Sequence, residues 1–307
     1  MTAAPTGRQY ELVHGTQRAV IVELGAGLRE YGSNSVPIAD GYRVEQLPDG
    51  GRGQLLLPWP NRIAGATYRF AGEKFRLPVS EPRTGSAIHG LVRDKPWGLV
   101  DSSSAAVTLA LDLAPQDGYR FRLGLTATYT VSDSGLTASV TAVNTGERSC
   151  PYGAGAHPYV RLADGDPIDG AVLRLPAGAM LQADARGIPT GLELPVDGTD
   201  FDFRQPRAIG PQILDTAFTQ LAADVDGVIR IALMAADGGH GAEVWMDGSH
   251  RYAMIYSGDT LGDVTRRRRG LAIEPMTCAP DAFNSGAGLV VLEPGDAHTS
   301  TWGIAPL

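Results

Sequence analysis

The chain has few cysteines and no long apolar run, and each shortage excludes a class of protein. Its two cysteines, Cys150 and Cys278, form neither a C-x-x-C pair nor a metal-spaced cluster, so neither a disulfide nor a zinc site is predicted. No stretch approaches ~18 uninterrupted apolar residues. The N-terminal "MTAAPTGRQYELVHG" lacks a basic segment followed by an apolar run. We therefore expect a cytoplasmic protein with no membrane partner.

Positive charge is also scarce. The sequence has 26 Lys and Arg against 34 Asp and Glu, a formal net charge of -8. Such a surface repels nucleic-acid phosphates unless a local basic patch overrides it, so no nucleic-acid partner is predicted. The one candidate patch is the run Arg266 to Arg269. It is interpreted as a solvated loop, with a local anion site and nucleic-acid binding as the alternatives.

Familiar catalytic motifs are missing as well. The sequence holds no phosphate loop, no G-x-S-x-G, no H-E-x-x-H and no EF-hand pattern. This argues against serine hydrolases, zinc hydrolases and nucleotide-dependent enzymes of the familiar kinds. No dinucleotide fingerprint or metal-ligand cluster is present either, so we expect neither a cofactor nor a metal.

The pattern that is present is β. The stretches "FRLGLTATYTV" (121–131) and "GLTASVTAVN" (135–144) alternate, and "SDSG" joins them, which predicts an antiparallel hairpin. "AVIVELGAGLREY" near the start reads as another hairpin. With 39 glycines and 21 prolines, turns recur along the chain, and no helix-period segment of ~12 residues is found. We predict an all-β, large antiparallel sandwich, with residues 1–307 as a single domain and loops carrying the chemistry.

Two residues stand out as an acid/base pair. Glu274, in "LAIEPMTCAPDAFN" (271–284), follows a strand-like approach and precedes a proline, so it could project from a strand end into a cleft. His157, in "GAGAHPYV" (153–160), has small neighbours and a proline behind it. The structural alternative for Glu274 is a surface glutamate at a strand end. A carboxylate and an imidazole held this way are a candidate base and acid.

Three further residues have weaker local signals. Arg62 follows the rigid "PWPN" and could present its fork of donors to hydroxyls or a carboxylate. His89 precedes a glycine that permits close approach of a ligand, and Asp215 interrupts an apolar run where a carboxylate needs a partner. Taken one at a time, they are better explained as a structural arginine, a satisfied histidine and a turn or capping aspartate.

Taken in order, the motifs resemble the aldose 1-epimerase (galactose mutarotase) family. The matching stretches run from about residue 58 to 295 in family order, and collectively they are specific. They are "PNRIAGATYRFAGEKFRL", "AIHGLVRDKPWGL", "GAGAHPYV", "LDTAFTQL" and "LAIEPMTCAPDAFNSGAGLVVLEPG". The resemblance implies a β-supersandwich and a metal-free isomerase that interconverts the α and β anomers of a free monosaccharide, as a monomer or homodimer.

The family's active-site positions fall on five residues of this sequence: Arg62, His89, His157, Asp215 and Glu274. The resemblance implies that Glu274 takes the C1 hydroxyl proton and His157 gives one to the ring oxygen. A glutamate, with a pKa near 4.3, is ionised at neutral pH, and a histidine, near 6.5, needs little tuning to donate. His89 and Arg62 would bond the ring oxygen or hydroxyls, and Asp215 would orient the sugar. Composition also suggests that Trp59, Trp97 or Phe283 stacks on a sugar face.

The sequence departs from galactose mutarotases in two places. "LPWP" replaces the glycine-arginine pair that often precedes N-R-I, and Leu91 follows the H-G where those enzymes often have a glycine. The chain is therefore more similar to a divergent bacterial aldose 1-epimerase-like branch, and the identity of the sugar is open.

Three rival functions remain. A mutarotase of a phosphorylated or sulfonated sugar would use the arginine run, Arg93 and Lys95. A non-catalytic carbohydrate-binding protein would not need both members of the acid/base pair. A glycoside hydrolase could use Asp215 and Glu274 as its two carboxylates.

Overall fold

A computed structural model describes residues 4–162 and 165–307 of the chain. The strands of the N-terminal half are β1 (Gln9–His14), β2 (Gln17–Val22), β3 (Leu28–Ser33), β4 (Val36–Pro37), β5 (Leu55–Leu56), β6 (Arg62–Ile63), β7 (Thr67–Phe70), β8 (Glu73–Arg76), β9 (Ala87–Ile88), β10 (Gly98–Ser102), β11 (Ala106–Leu113), β12 (Leu123–Ser132), β13 (Gly135–Asn144) and β14 (Cys150–Tyr152).

The remaining strands are β15 (Gly155–Ala156), β16 (Tyr159–Val160), β17 (Val172–Arg174), β18 (Ala177–Ala183), β19 (Pro189–Pro195), β20 (Arg207–Ala208), β21 (Asp215–Leu221), β22 (Ile229–Met234), β23 (Gly241–Met246), β24 (Tyr252–Tyr256), β25 (Leu271–Met276), β26 (Val290–Leu292) and β27 (Ala297–Pro306). One α-helical turn, α1 (Ala282–Ser285), and three 3₁₀ turns (Ala64–Ala66, Ile168–Gly170 and Val264–Arg266) complete the assignment.

Two large antiparallel sheets dominate. One has nine strands in the order β10-β11-β12-β13-β27-β23-β22-β17-β20. The other has eight, in the order β19-β18-β21-β24-β25-β15-β5 with β16 also paired to β25. A four-stranded sheet, β1 to β4, and three two-stranded pairs add to them. The prediction of an all-β antiparallel architecture is confirmed.

The alternation seen in the sequence sets which face of the nine-stranded sheet is buried. Along β12, every second side chain from Leu123 to Val131 is buried, and β13 continues the pattern in register, Ser132 pairing with Gly135 across the turn. Buried apolar side chains of this sheet share one contiguous core with Ala253 and Ile255 of β24 and with Leu271 and Ile273 of β25. The predicted hairpin is therefore confirmed, as is the one formed by β2 and β3.

The eight-stranded sheet carries or adjoins His157, Asp215 and Glu274, whereas Arg62 and His89 lie on or beside the β6–β9 pair. In the eight-stranded sheet, the central strand β25 is buried along its whole length, from Leu271 to Met276, and β15, β16 and β24 pair with it. Within residues 4–162 and 165–307, no helix has the length and apolar character needed to span a bilayer.

Candidate active site

The five residues predicted for the site lie in one place. Arg62, His89, His157, Asp215 and Glu274 all line a single open pocket of about 280 Å³. The volume is close to the lower end of the range for drug-sized ligands, about 300–1,000 Å³, and therefore suits a ligand of monosaccharide size. Polar side chains from five separate segments thus meet in one pocket.

Glu274 forms part of the floor of the pocket. It lies inside β25, opposite Met254 of β24, and not at a strand end as the sequence suggested. Its side chain is buried, and its Oε2 has no hydrogen-bond partner among the described residues. Burial raises the pKa of Glu274 well above its ordinary value; the charge of Asp215 adds to this and that of Arg62 opposes it. The carboxylate is therefore a stronger base than a free glutamate.

His157 faces Glu274 across the floor, with its Nε2 3.3 Å from Oε1. Its backbone is fixed on both sides, since its N–H donates to the Gln54 carbonyl and its carbonyl accepts from the Gly53 N–H. Burial lowers the pKa of His157 to about 3, helped by the charges of Arg52 and Arg93. Its protonated form is therefore a stronger acid than free imidazolium.

These pKa directions change the ionisation expected from sequence. Ordinary values predicted an ionised glutamate and a histidine needing little tuning. In the structure, burial favours the uncharged form of both Glu274 and His157, and the two are in contact. They behave as one coupled pair whose protons belong to both residues.

His89 is held by an unusual backbone. Its φ of 62° lies in the left-handed region, which non-glycine residues seldom adopt. Its N–H donates to the Asn61 carbonyl, and its Nδ1 accepts from the Asn61 N–H at 3.2 Å. Because Nδ1 is an acceptor, the ring proton sits on Nε2, and His89 is a donor. Burial, together with His157, Arg93 and Arg62, lowers its pKa well below the usual value.

Arg62 has a partner that sequence reasoning missed. Its Nε and a terminal nitrogen bond the two oxygens of Glu81 at 2.7 and 2.9 Å, a bidentate ion pair. Glu81 lies in the turn "SEPRTGS", whose composition gave no reason to single it out. Arg62 is therefore not the free fork that the sequence predicted, because part of its donor capacity is already used.

Asp215 stands at the mouth of the pocket. It is the first residue of β21, paired with Tyr256 of β24, and it is exposed. Among the residues that the structure describes, its carboxylate makes no hydrogen bond or ion pair. Burial raises the pKa of Asp215 above its ordinary value, and the charge of the nearby Arg62 opposes that rise. Both carboxylate oxygens are available to accept from ligand hydroxyls.

The "PDAFN" segment, residues 280–284, supports the turn that carries Arg62. The Asp281 N–H donates to the Arg62 carbonyl at 2.7 Å, and its Oδ1 accepts from the Ala64 N–H. The Asn284 side chain donates to the same Oδ1 and to the Thr67 carbonyl. These polar residues therefore fix the turn that carries Arg62.

The aromatic prediction is wrong. Trp59, Trp97 and Phe283 are buried in the core and do not line the pocket, and Trp59 packs edge-on against Phe283 at 5.6 Å. The aromatic ring that does line it is that of Tyr256 on β24. Bulky rings near the "PWPN" bend fill the core because that is where the apolar area is removed from water.

The interpretation of the arginine run as a solvated loop is wrong for Arg266 and Arg268, whereas Arg267 and Arg269 are exposed. The side chain of Arg268 is only 15% exposed and bonds Asp169 and Asp259 at 3.0 and 3.1 Å. Arg266 bonds a carboxylate oxygen of Asp40 at 2.9 Å. The run ties down its own loop through specific ion pairs, which its sequence, four like charges in a row, gave no means of assigning.

Three pocket residues also have the spacing of a small metal site. His89, His157 and Glu274 offer ligand atoms that all lie within 4.8 Å of one another. The guanidiniums of Arg62 and Arg93, which line the same pocket, oppose a divalent cation there. The arrangement fits proton transfer better than metal binding.

Known proteins resemble the chain over almost its whole length. A family model described as aldose 1-epimerase matches residues 8–305. The Escherichia coli K12 protein named "Uncharacterized protein YihR" is 33% identical over 294 residues, covering 95% of this chain and 91% of that protein. An Escherichia coli K12 protein named aldose 1-epimerase is 26% identical, covering 97% of this chain and 95% of that protein.

Solved structures share the fold. The GalM/aldose epimerase homologue from C. elegans superposes with a TM-score of 0.86 at 20% identity, covering 98% of each chain. Galactose 1-epimerase from Lactobacillus acidophilus NCFM has a TM-score of 0.80 at 18% identity, covering 97% of this chain and 94% of that one. With a family model over almost its whole length and this fold, the chain belongs to the aldose 1-epimerase family.

Proposed function

We propose that the protein is a mutarotase that interconverts the α and β anomers of a free aldose. The observation that carries the proposal is the contact between His157 Nε2 and Glu274 Oε1, 3.3 Å apart on the floor of a monosaccharide-sized pocket. The C1 hydroxyl and the ring oxygen of a hemiacetal are bonded to the same carbon. One acid/base pair at this spacing can therefore reach both oxygens at once.

In the proposed reaction, Glu274 takes the proton of the C1 hydroxyl while His157 donates its Nε2 proton to the ring oxygen. The bond between C1 and the ring oxygen breaks, and C1 becomes an aldehyde carbon. After rotation about C1–C2, the two residues return the protons in the opposite sense, and the ring closes as the other anomer. Protons balance over the cycle, and no electrons are exchanged with the protein.

The pKa directions favour the products of this proton movement, and they make the starting carboxylate–imidazolium form the less populated one. Ring opening converts a carboxylate and an imidazolium into a carboxylic acid and a neutral imidazole. Burial raises the pKa of Glu274 and lowers that of His157, so both shifts favour the direction of proton movement that opens the ring. His157 and Glu274 together carry one proton. Ring opening leaves that proton on Glu274, and ring closure returns it to His157.

The remaining polar residues would bind and orient the sugar. His89, with its proton on Nε2, can donate to the ring oxygen or to a neighbouring hydroxyl. Asp215 can accept from hydroxyls at the mouth of the pocket. Arg62 retains donors beyond those that Glu81 occupies, and these can bond a further hydroxyl.

The test is anomer exchange in Glu274→Gln. The amide keeps the shape and hydrogen bonding of the side chain but cannot accept a proton at neutral pH. We expect the exchange rate, measured by NMR or polarimetry across a panel of aldoses, to fall about 10²–10⁴-fold, with sugar binding retained. Near-wild-type exchange would remove Glu274 from the base role. Sugar binding by a wild type that exchanges no anomers would favour the non-catalytic alternative.

One observation favours an anionic sugar as a second candidate substrate. Arg93 lines the pocket beside His89, bonding only the Gln54 side chain and the Ile88 carbonyl, each at 3.2 Å. In the described part of the chain, no carboxylate lies within 4 Å of its guanidinium. Partly buried arginines normally have an anionic partner, so a charged group on the substrate would supply one.

The matched experiment compares Arg93→Gln with the wild type on a neutral aldose, a uronate and a sugar 6-phosphate. If the natural substrate is anionic, kcat/KM of the variant on the charged sugars should fall about 10–100-fold. This is the effect expected from losing one buried charge-assisted hydrogen bond. Equal effects on neutral and charged sugars would leave the neutral aldose as the substrate.

A further inference from the structure

Arg52 is an arginine enclosed by protein immediately behind the pocket. Its side chain is 1% exposed and is not among the residues that line the pocket. It forms an ion pair with the Asp40 carboxylate, and it donates to the Asp40 carbonyl at 3.0 Å and to Asp49 Oδ1 at 3.1 Å. A buried arginine without a role in core packing or ligand contact calls for an explanation, because burying a charge is costly.

The guanidinium of Arg52 starts a stack that ends at the acid/base pair. Its Cζ lies 4.3 Å from the centroid of the Tyr159 ring. The Tyr159 ring in turn stacks on the His157 imidazole, with centroids 5.0 Å apart and an interplanar angle of 11°. The Tyr159 hydroxyl donates to the Gly50 carbonyl, which holds the middle ring in place. The orientation of His157 is therefore set from its rear face by a planar cation and a planar ring.

The stack is anchored from the far side by the arginine run. Asp40 uses both of its carboxylate oxygens, one for Arg52 and the other for Arg266, which lies 2.9 Å from Oδ1. Arg266 also donates to the Gly41 carbonyl at 2.7 Å. The neighbouring Arg267 has no part in this: it bonds the Leu261 carbonyl at 2.9 Å. One member of the run is thus connected to His157 through three intervening side chains.

We propose that Arg52 is a positioning residue for mutarotation, that it fixes the His157 imidazole through Tyr159, and that Asp40 and Arg266 hold it in place. The proposal rests on the proposed function, since positioning matters only if His157 transfers a proton. Displacing a catalytic group by about 1 Å can lower the rate about 10²-fold. A stack that holds the plane of the His157 ring should therefore have a measurable effect on kcat.

The charge of Arg52 has a second effect on the same ring. A guanidinium near the imidazole disfavours its protonation, and Arg52 contributes, after burial, to the lowered pKa of His157. Other groups also face this ring, and any change in its titration must be compared against them. They are Glu274, His89, Arg93 and Tyr159. Arg52→Lys separates the two effects, because lysine keeps the charge and loses the planar stacking group.

The experiment uses two peripheral variants and two central ones. Arg266→Gln removes the anchor of Asp40, and Arg267→Gln is the matched control in the same loop. Arg52→Lys and Arg52→Gln change the stack directly. For each protein, kcat and KM for anomer exchange are measured, the His157 side-chain nitrogen shifts are followed from about pH 4 to about pH 8, and the thermal midpoint is recorded.

The expected results are specific to each variant. Arg266→Gln should lower kcat about 3–10-fold with KM nearly unchanged, and should shift the His157 nitrogen signals, while Arg267→Gln changes neither. Arg52→Lys should lose about 10–100-fold in kcat and keep the His157 titration midpoint low. Arg52→Gln should show a similar loss in kcat and a raised midpoint.

Each contrary outcome has a definite meaning. Equal kinetics and equal His157 signals in the Arg266 and Arg267 variants would overturn the positioning proposal, even if the Arg52 variants fail to fold. A wild type that exchanges no anomers would overturn the proposed function. The nitrogen shifts of His157 would still decide the connection to Arg266, because they do not depend on activity.

Discussion

Gly51 lies directly against the imidazole of His157: a Cβ atom on Gly51 would be 2.5 Å from His157 Cδ2. Its φ of 77° is also one that side-chain-bearing residues rarely adopt. Gly51 therefore forms one wall of the slot that holds His157, and no other residue fits there without moving the ring.

The first prediction follows from that contact. Gly51→Ala should lower kcat for anomer exchange about 10²-fold, because the added methyl group displaces His157 from Glu274. Gly248→Ala is the control, since a Cβ atom there meets nothing within 4 Å. Kinetics and thermal midpoints of both variants provide the measurement. A fully active Gly51→Ala protein would show that the His157 ring tolerates displacement.

Anomer exchange should lose its rate at a lower pH than the pKa of a free histidine would predict. The active pair carries one proton, and activity is lost when a second proton binds. Because the pKa of His157 is lowered to about 3, that second proton binds only well below the ordinary histidine value of about 6.5. We expect kcat to change less than about 2-fold between about pH 7 and about pH 5. A fall centred near pH 6.5 would contradict the lowered pKa.

Glu274 should lower the free energy of unfolding, and should do so more at higher pH. Its folded-state pKa is raised above the unfolded value, so the folded state holds the proton more tightly. The penalty is absent below about pH 4.3, where both states are protonated, and it grows as pH rises toward the folded-state pKa. We expect Glu274→Gln to be more stable than the wild type at about pH 8, on the order of 1–3 kcal/mol, and to gain less at about pH 5.

The measurement is denaturant unfolding of both proteins at the two pH values. Glu45→Gln, which changes a solvent-exposed carboxylate, is the control and should show no comparable difference between them. A variant less stable than the wild type at both pH values would mean that the surrounding charges fully compensate the buried carboxylate.

Glu81 should matter for substrate binding although it was not predicted. Glu81→Gln leaves Arg62 with at most one of its two bonds and lets its guanidinium move. We expect kcat/KM to fall about 10-fold, the size of one charge-assisted hydrogen bond. Arg83→Gln is the matched control, since Arg83 contacts Glu81 only at 3.9 Å with a largely exposed side chain, and such pairs contribute little. Equal effects in the two variants would argue against a special role of the Arg62 pair.

Chelation should leave the activity intact. The guanidiniums of Arg62 and Arg93 oppose a cation between His89, His157 and Glu274. Anomer exchange measured after dialysis against EDTA should therefore equal that of the untreated protein. Loss of activity that a divalent ion restores would identify the three residues as a functional metal site.

The parts that sequence predicted are those that depend on local pattern. The hairpin of β12 and β13 follows from alternation and a turn composition, and both are properties of adjacent residues. The five site residues came from motifs in family order, and all five line one pocket. Short, regular features of this kind keep their meaning without knowledge of the fold.

The parts that sequence missed depend on partners far apart in the chain. Asp40 and Arg266 are 226 residues apart, and their loops are brought together by the bridge between Ala39 and Val160 and the pairing of β16 with β25. The positions of Trp59 and Trp97 were wrong for a related reason, because which large ring faces the core is decided by tertiary packing. Neither kind of relationship leaves a signal in neighbouring residues.

The position of β27 affects how the protein is made. This strand, Ala297–Pro306, lies in the middle of the nine-stranded sheet between β13 and β23. Until those residues leave the ribosome, β13 and β23 both present open hydrogen-bonding edges, and the sheet exists only as two separate halves. We therefore expect a nascent chain that already includes Glu274 but not β27 to be prone to association. Ten residues that contribute no side chain to the pocket lining determine when the sheet can close.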